Sequence, residues 1–177
     1  MSEGDAGSAF PPQPARARRP QAVLFACSEN CLRSPMAEAF GRYYFGRSVY
    51  FASAGVRRGE LDPLATAVME EVGIDIAGHR PHTFEDLEDA SFDLIVTLSP
   101  EAHHKALEFT RTLAVDVVYW PTLDPSAVEG TREHVIQAYR SVRESLAKRI
   151  KVFFDPRSAP ARDETAKPGP DAGPKPI

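Results

Sequence analysis

The stretch Ala22-Val23-Leu24-Phe25-Ala26-Cys27-Ser28-Glu29-Asn30-Cys31-Leu32-Arg33-Ser34-Pro35-Met36-Ala37-Glu38 decides how this chain is read. It opens on an apolar run of strand length at residues 22–26. A short polar segment follows, from a cysteine to an arginine. Ser34 and Pro35 then signal a helix start: serine is a good N-cap, proline suits the first turn, and Glu38 adds acid there. Strand, tight loop and helix in that order bring backbone N–H groups and the positive end of a helix to one point. Such a cradle holds an oxyanion such as phosphate.

Cys27 and Arg33 give the cradle its chemistry. The thiolate, not the thiol, is the nucleophile, and N–H donors, a helix N-terminus and a guanidinium all favour the thiolate. Arg33 offers a planar fork that matches two oxygens of a tetrahedral oxyanion. The Ser34 hydroxyl is placed to donate to the sulfur. A bare Cys-x5-Arg reads more simply as a structural cysteine with a surface arginine. The register of strand, Ser-Pro and helix tips the reading toward a nucleophile.

At Cys27, Asn30, Arg33 and Ser34 the chain resembles the low-molecular-weight protein tyrosine phosphatases and the arsenate reductases that share their fold. Their pattern is a strand, Cys-x-x-Asn-x-x-Arg-Ser, then a helix, and the resemblance covers about residues 21–150. Two positions depart from it. Glu29 stands where the family usually has glycine. Leu32 precedes the arginine where phosphatases often carry a second cysteine, and Cys31 sits one place earlier. The resemblance implies a flavodoxin-like α/β fold: a four-stranded parallel sheet of order 2-1-3-4 with helices on both faces. It implies that Ser28, Glu29, Asn30, Cys31, Leu32, Arg33 and Ser34 bind the oxyanion. No cofactor is expected.

The rest of the chain fits one domain with tails. Its 177 residues are 42% hydrophobic, enough for a globular core. A formal net charge of −4 gives no support for nucleic acid or an anionic membrane as partner. No apolar run is long enough to span a bilayer, and no apolar segment follows the arginines near the N-terminus as a secretory signal requires. Two cysteines close in sequence cannot form a disulfide framework, which points to a reducing, cytoplasmic setting. Residues 1–20 and 155–177, rich in proline, alanine and glycine, read as disordered tails around a domain at 21–154.

Within that domain strands and helices alternate, which by itself argues for a parallel sheet covered by helices. Strands are expected at 49–52, 92–98 and 113–119. Helices are expected at 35–45, at 64–72 with Asp62 as N-cap, after the cap Ser99, and from Val135 to an end in Phe153-Phe154. Met36, Phe40, Tyr43 and Tyr44 form the apolar side of the first helix, and Leu64, Val68, Met69 and Val72 that of the second. Phe84-Glu85-Asp86-Leu87 reads as a short helical turn.

Thiolate attack on a phosphate ester needs an acid for the leaving oxygen. Asp124, in the loop Trp120-Pro121-Thr122-Leu123-Asp124-Pro125, matches the late Asp-Pro that has this role in the resembled phosphatases. Asp62-Pro63 reads as a helix cap and Asp155-Pro156 as a helix stop. The resemblance also implies that Ser53, in Ser-Ala-Gly after the second strand, holds Asn30, and that His79 buttresses the loop. His103 and His104 are adjacent and so do not share a helix face, and no metal is expected.

Three functional readings are open from sequence. The first is a cysteine-dependent phosphatase acting on a phosphorylated protein or a small phosphomonoester, with phosphotyrosine the substrate the resemblance implies. Aromatic residues after the Asp-Pro stack on that substrate in the resembled phosphatases, whereas Ser126 and Ala127 follow here; Arg57 and Arg58 are either solvated or suited to an acidic substrate. The second is an arsenate reductase. Thioredoxin-linked reductases of this fold use two further cysteines, the first at the end of the third strand, where this chain has Ser99; arsenate would need an external thiol such as glutathione. The third is a non-catalytic oxyanion-binding module, motivated by the Glu29 carboxylate. Cys31 is a candidate redox partner that would trap oxidised Cys27 as a disulfide.

Overall fold

The computed structural model describes residues 19–88 and 91–158; the expected tails at 1–18 and 159–177 lie outside the described residues. Four strands, β1 Ala22–Cys27, β2 Tyr50–Gly55, β3 Leu94–Thr97 and β4 Asp116–Tyr119, form one sheet in the order β2-β1-β3-β4. All three pairings are parallel. Four helices connect and follow them: α1 Arg33–Phe45, α2 Pro63–Glu70, α3 Pro100–Phe109 and α4 Arg132–Phe154. Short 3-10 turns lie at Phe84–Asp86, Pro125–Ala127 and Pro156–Ser158, the last inside the segment expected to be tail.

Side chains alternate across a strand, so each strand feeds two cores. Val23, Phe25 and Cys27 of β1 face one way with Val96 of β3, against Met36 and Phe40 of α1, Val68 of α2 and Leu146 and Ile150 of α4. Leu24 and Ala26 face the other way with Ile95, against Ala102 and Ala106 of α3 and against Phe84. Helices thus cover both faces, as the resemblance implied. Trp120, fully buried after β4, packs against Phe25 and Phe153, and Arg149 lies over its ring 4.8 Å from the centroid. Among the described residues no helix is long and apolar enough to cross a membrane.

Several local expectations need correction. Helix α1 starts at Arg33 with Leu32 as N-cap, not at Ser34-Pro35, and no side chain caps it. Tyr43 is 67% exposed: Met36, Phe40 and Tyr44 already fill the stripe at four-residue spacing. Val72 is 43% exposed because α2 ends at Glu70, so helical spacing no longer places it. Strand β4 begins only at Asp116, because the Leu113 N–H turns back to the Phe109 carbonyl. Asp62 and Ser99 do cap α2 and α3: Asp62 accepts from the Leu64 and Ala65 N–H groups, and Ser99 from Ala102.

For the site, what matters is where the strands end. Cys27 pairs with Gly55, and Ala26 with Thr97, so β1, β2 and β3 finish at one level. The loops that follow open on the same face, as the carboxyl ends of a doubly wound parallel sheet do.

Candidate active site

The loop that begins at Cys27 has its first five carbonyls, those of residues 27–31, taken by partners outside it. Those of Cys27, Ser28, Glu29 and Cys31 accept from the backbone N–H groups of Val56, Arg57, Gly59 and Asp62, at 2.8–3.2 Å. The Asn30 carbonyl takes His79 Nε2 at 3.2 Å. The segment after β2 therefore clamps the loop from outside. No acceptor among the described residues takes the N–H groups of Ser28 through Ser34. Peptide planes oriented this way turn their donors inward, which makes an anion nest ahead of the α1 N-terminus. Asn30 carries the turn at φ +54°, a left-handed conformation that asparagine tolerates better than most residues.

Gly55 allows the clamp to close. A Cβ there would lie 2.5 Å from the Arg57 carbonyl oxygen and 2.7 Å from the Asn30 nitrogen, both backbone atoms. Gly55→Ala is expected to cost about 1–3 kcal/mol through overpacking and to weaken inorganic phosphate binding by displacing the loop. Denaturant unfolding with a phosphate titration checks both. Unchanged values would mean that the clamp is not tight.

The Asn30 side chain organises the inside. Its Oδ1 accepts from the His82 N–H at 3.0 Å and meets His79 Nε2 at 3.0 Å. A backbone N–H can only donate, so the amide orientation is fixed. Its Nδ2 then donates to Ser53 Oγ and to Ser34 Oγ, each at 2.9 Å. Ser53 Oγ–H donates to Glu38, which also pairs with Arg42 at 2.6 Å. Since Asn30 donates to Ser34, the Ser34 proton is free for Cys27 Sγ at 2.9 Å, a closer partner than the Ala54 carbonyl at 3.5 Å. The hydrogen-bond polarity thus runs toward the sulfur and suits a thiolate. Burial draws the His79 pKa below its ordinary value, and the Glu38 carboxylate 3.8 Å from Nδ1 opposes that pull.

Arg33 is buried at the first position of α1. Its Nη1 donates to the Thr122 carbonyl at 3.0 Å and its Nη2 lies 3.6 Å from Asp124 Oδ2. The loop after β4 is itself anchored, through Trp120 N–H to the Thr97 carbonyl and Thr122 N–H to the Leu98 carbonyl. Cys27 and Arg33 bound the loop after β1, and Arg33 ties it to the loop after β4 that carries Asp124.

The family model of the low molecular weight phosphotyrosine protein phosphatases matches residues 22–156, nearly the whole of this folded region. The chain belongs to that family. Among its relatives, the arsenate reductase of Halalkalibacterium halodurans is 35% identical over 134 residues, 75% of this chain and 94% of the relative. A solved low molecular weight protein tyrosine phosphatase from T. tengcongensis superposes with a TM-score of 0.60 at 26% identity, over 74% of this chain and 95% of that one. An arginine phosphatase from Geobacillus stearothermophilus superposes at 0.59 and 25% identity, over 75% and 89%.

Within this family frame the remaining candidate residues fall as follows. Glu29 is exposed, with its Cβ 2.9 Å from where a Cβ on Gly59 would sit, so it lies on the carbonyl side of the loop and outside the nest. Cys31 lies on that side too, and its Sγ–H donates to Glu29 Oε2 at 3.7 Å. Burial and the nearby anions Cys27, Glu29 and Asp62 push the Cys31 thiol up to about 12. Leu32 is buried in the core beneath the loop. Ser28 Oγ donates to Ser99 Oγ at 3.1 Å. Asp62 is fully engaged, with Oδ1 on the α2 N-terminus and Oδ2 accepting from the Tyr139 hydroxyl at 2.6 Å. Arg57 and Arg58 pair with Glu101 and Asp86, each at 2.6 Å.

Sequence reading missed four contributors: the Val56–Asp62 clamp, the His82 N–H, Glu38 as a buried buttress, and Ser99 as a contact of the loop. Gly55 and Gly59 beside a strand end were the available signal for the clamp. Among the described residues no group of His, Cys, Asp or Glu gathers as a metal site.

Proposed function

We propose that the protein hydrolyses phosphomonoesters, with phosphotyrosine of a protein as substrate, through a covalent phosphocysteine intermediate. One observation carries the reading: Asp124 lies 3.6 Å from Arg33, the residue at the far end of the loop that Cys27 begins. A thiolate that attacks phosphorus needs that acid; a thiolate that only binds an oxyanion does not. The nest and Arg33 hold the phosphoryl oxygens and stabilise the charge that builds on them. Cys27 forms the S–P bond while Asp124 protonates the departing oxygen. Asp124 then takes a proton from the water that opens the S–P bond, releasing phosphate and the thiolate.

Arsenate reduction is the second reading, favoured by the 35% identity to an arsenate reductase. Ser99 touches the loop through Ser28, and a hydroxyl there cannot accept a disulfide, so this chemistry would need an external thiol in a reducing cytoplasm. The deciding assay sets p-nitrophenyl phosphate and phosphotyrosine peptides beside arsenate with glutathione. Ester hydrolysis without arsenite formation supports the phosphatase; the reverse overturns it.

A Cys27–Cys31 disulfide requires Cys31 to leave Glu29 and turn into the loop. With its thiol held protonated, Cys31 is expected to trap oxidised Cys27 slowly. The measurement is activity regained with dithiothreitol after peroxide, in wild type and Cys31→Ser. Equal recovery removes Cys31 from the redox chemistry.

A further inference from the structure

Ser126 follows Asp124-Pro125 at a position where the resembled phosphatases carry an aromatic residue. Here it divides the Asp124 carboxylate into two unlike oxygens. Oδ1 accepts both the Ser126 N–H at 3.0 Å and the Ser126 Oγ–H at 2.6 Å. Oδ2 turns the other way, toward Arg33. A carboxyl oxygen that accepts two hydrogen bonds has its lone pairs engaged, and protonating it would break one of them. A proton on Asp124 therefore resides on Oδ2.

We infer that Ser126 is a positioning residue for the general acid, reserving Oδ2 on the Arg33 side as the oxygen that carries and delivers the proton. This rests on the phosphatase reading, in which Asp124 is that acid. In the first step the S–P bond forms, the ester P–O bond breaks, and the Oδ2 proton passes to the leaving oxygen. In the second, Oδ2 takes a proton from water as the water oxygen attacks phosphorus and the S–P bond breaks. The sum is ester plus water giving alcohol plus phosphate, with Asp124 and Cys27 restored. Throughout, Oδ1 stays on Ser126.

The other groups facing Asp124 remain in a Ser126 variant. Arg33 comes from α1. Tyr139 comes from α4, but its hydroxyl is committed to Asp62. Burial and Asp62, with a smaller contribution from Asp124, push the Tyr139 phenol above its ordinary range. Because Ser126 is exposed, its replacement leaves the core untouched.

The test compares wild type, Ser126→Ala and Ser126→Thr. The Asp124 carboxyl-carbon NMR signal, assigned with Asp124→Asn, reports the hydroxyl contact without any need for turnover. Rates on phenyl phosphate and on p-nitrophenyl phosphate report how well the proton is delivered. Ser126→Ala is expected to displace the signal and to slow phenyl phosphate by about fivefold to tenfold, the effect of one lost hydrogen bond, with far less effect on p-nitrophenyl phosphate, and Ser126→Thr to restore both. A Ser126→Ala protein that melts earlier but keeps the wild-type signal and the wild-type leaving-group dependence would reduce Ser126 to a turn residue and overturn the proposal. A displaced signal with no turnover of any phosphomonoester supports the Ser126–Asp124 coupling and overturns the phosphatase reading instead.

Discussion

Cys27→Ser is expected to lose turnover by roughly three to six orders of magnitude, the range over which hydrolases feel loss of a covalent nucleophile. The protein should remain folded. Cys27 is 2% exposed at the end of β1, and its sulfur already meets a hydroxyl, Ser34 Oγ, at 2.9 Å. A serine oxygen at that place keeps a hydrogen-bond partner and leaves no unsatisfied polar atom. What it cannot do is ionise. The cradle works by stabilising an anion that sulfur forms readily and a serine hydroxyl does not. The nest and Arg33 are untouched, so inorganic phosphate should bind about as before. Calorimetric phosphate binding beside turnover on p-nitrophenyl phosphate separates the two. Activity above a few per cent of wild type would sink the covalent mechanism.

That the loop is an anion nest followed from order alone, because strand, loop and helix dictate where N–H groups point. The side-chain partners did not follow in the same way. Ser34 reads as an N-cap by every local preference, yet the N-cap is Leu32, two residues earlier, and the Ser34 hydroxyl is shared between Asn30 and Cys27. Glu38 reads as a first-turn acid matched to the helix dipole. In the fold it is buried against Ser53 of β2, because β2 returns beside β1. Capping propensity is a local quantity, and tertiary contacts outweighed it in both cases.

The parallel sheet was legible because buried strands are short, apolar and spaced by helices. The strand order came only with the family resemblance, since periodicity carries no information about which strands pair. Glu29, the residue that most weakened the phosphate reading, is resolved by backbone direction. Its carbonyl and its Cβ both lie toward Gly59, which takes the carboxylate out of the nest. Nothing at the level of residue type could have shown that.

Asp124→Ala is expected to slow turnover by about 10²–10⁴-fold on esters with poor leaving groups. Phenyl phosphate should sit near the top of that range. p-Nitrophenyl phosphate should lose far less in the first step, because its leaving group departs without a proton. The carboxylate is free to serve: Ser126 holds Oδ1, and Oδ2 has only the 3.6 Å approach of Arg33. Asp62 makes the contrast. Both its oxygens are engaged, by the α2 N-terminus and by Tyr139, and its N–H holds the Cys31 carbonyl at 3.0 Å. Losing its side chain removes a helix cap and should cost stability, by about 0.5–2 kcal/mol, with no dependence on the leaving group. The measurement is kcat against leaving-group acidity for wild type, Asp124→Ala and Asp62→Ala. A slope that steepens only in Asp124→Ala supports the assignment; one that steepens only in Asp62→Ala moves the acid to the earlier Asp-Pro.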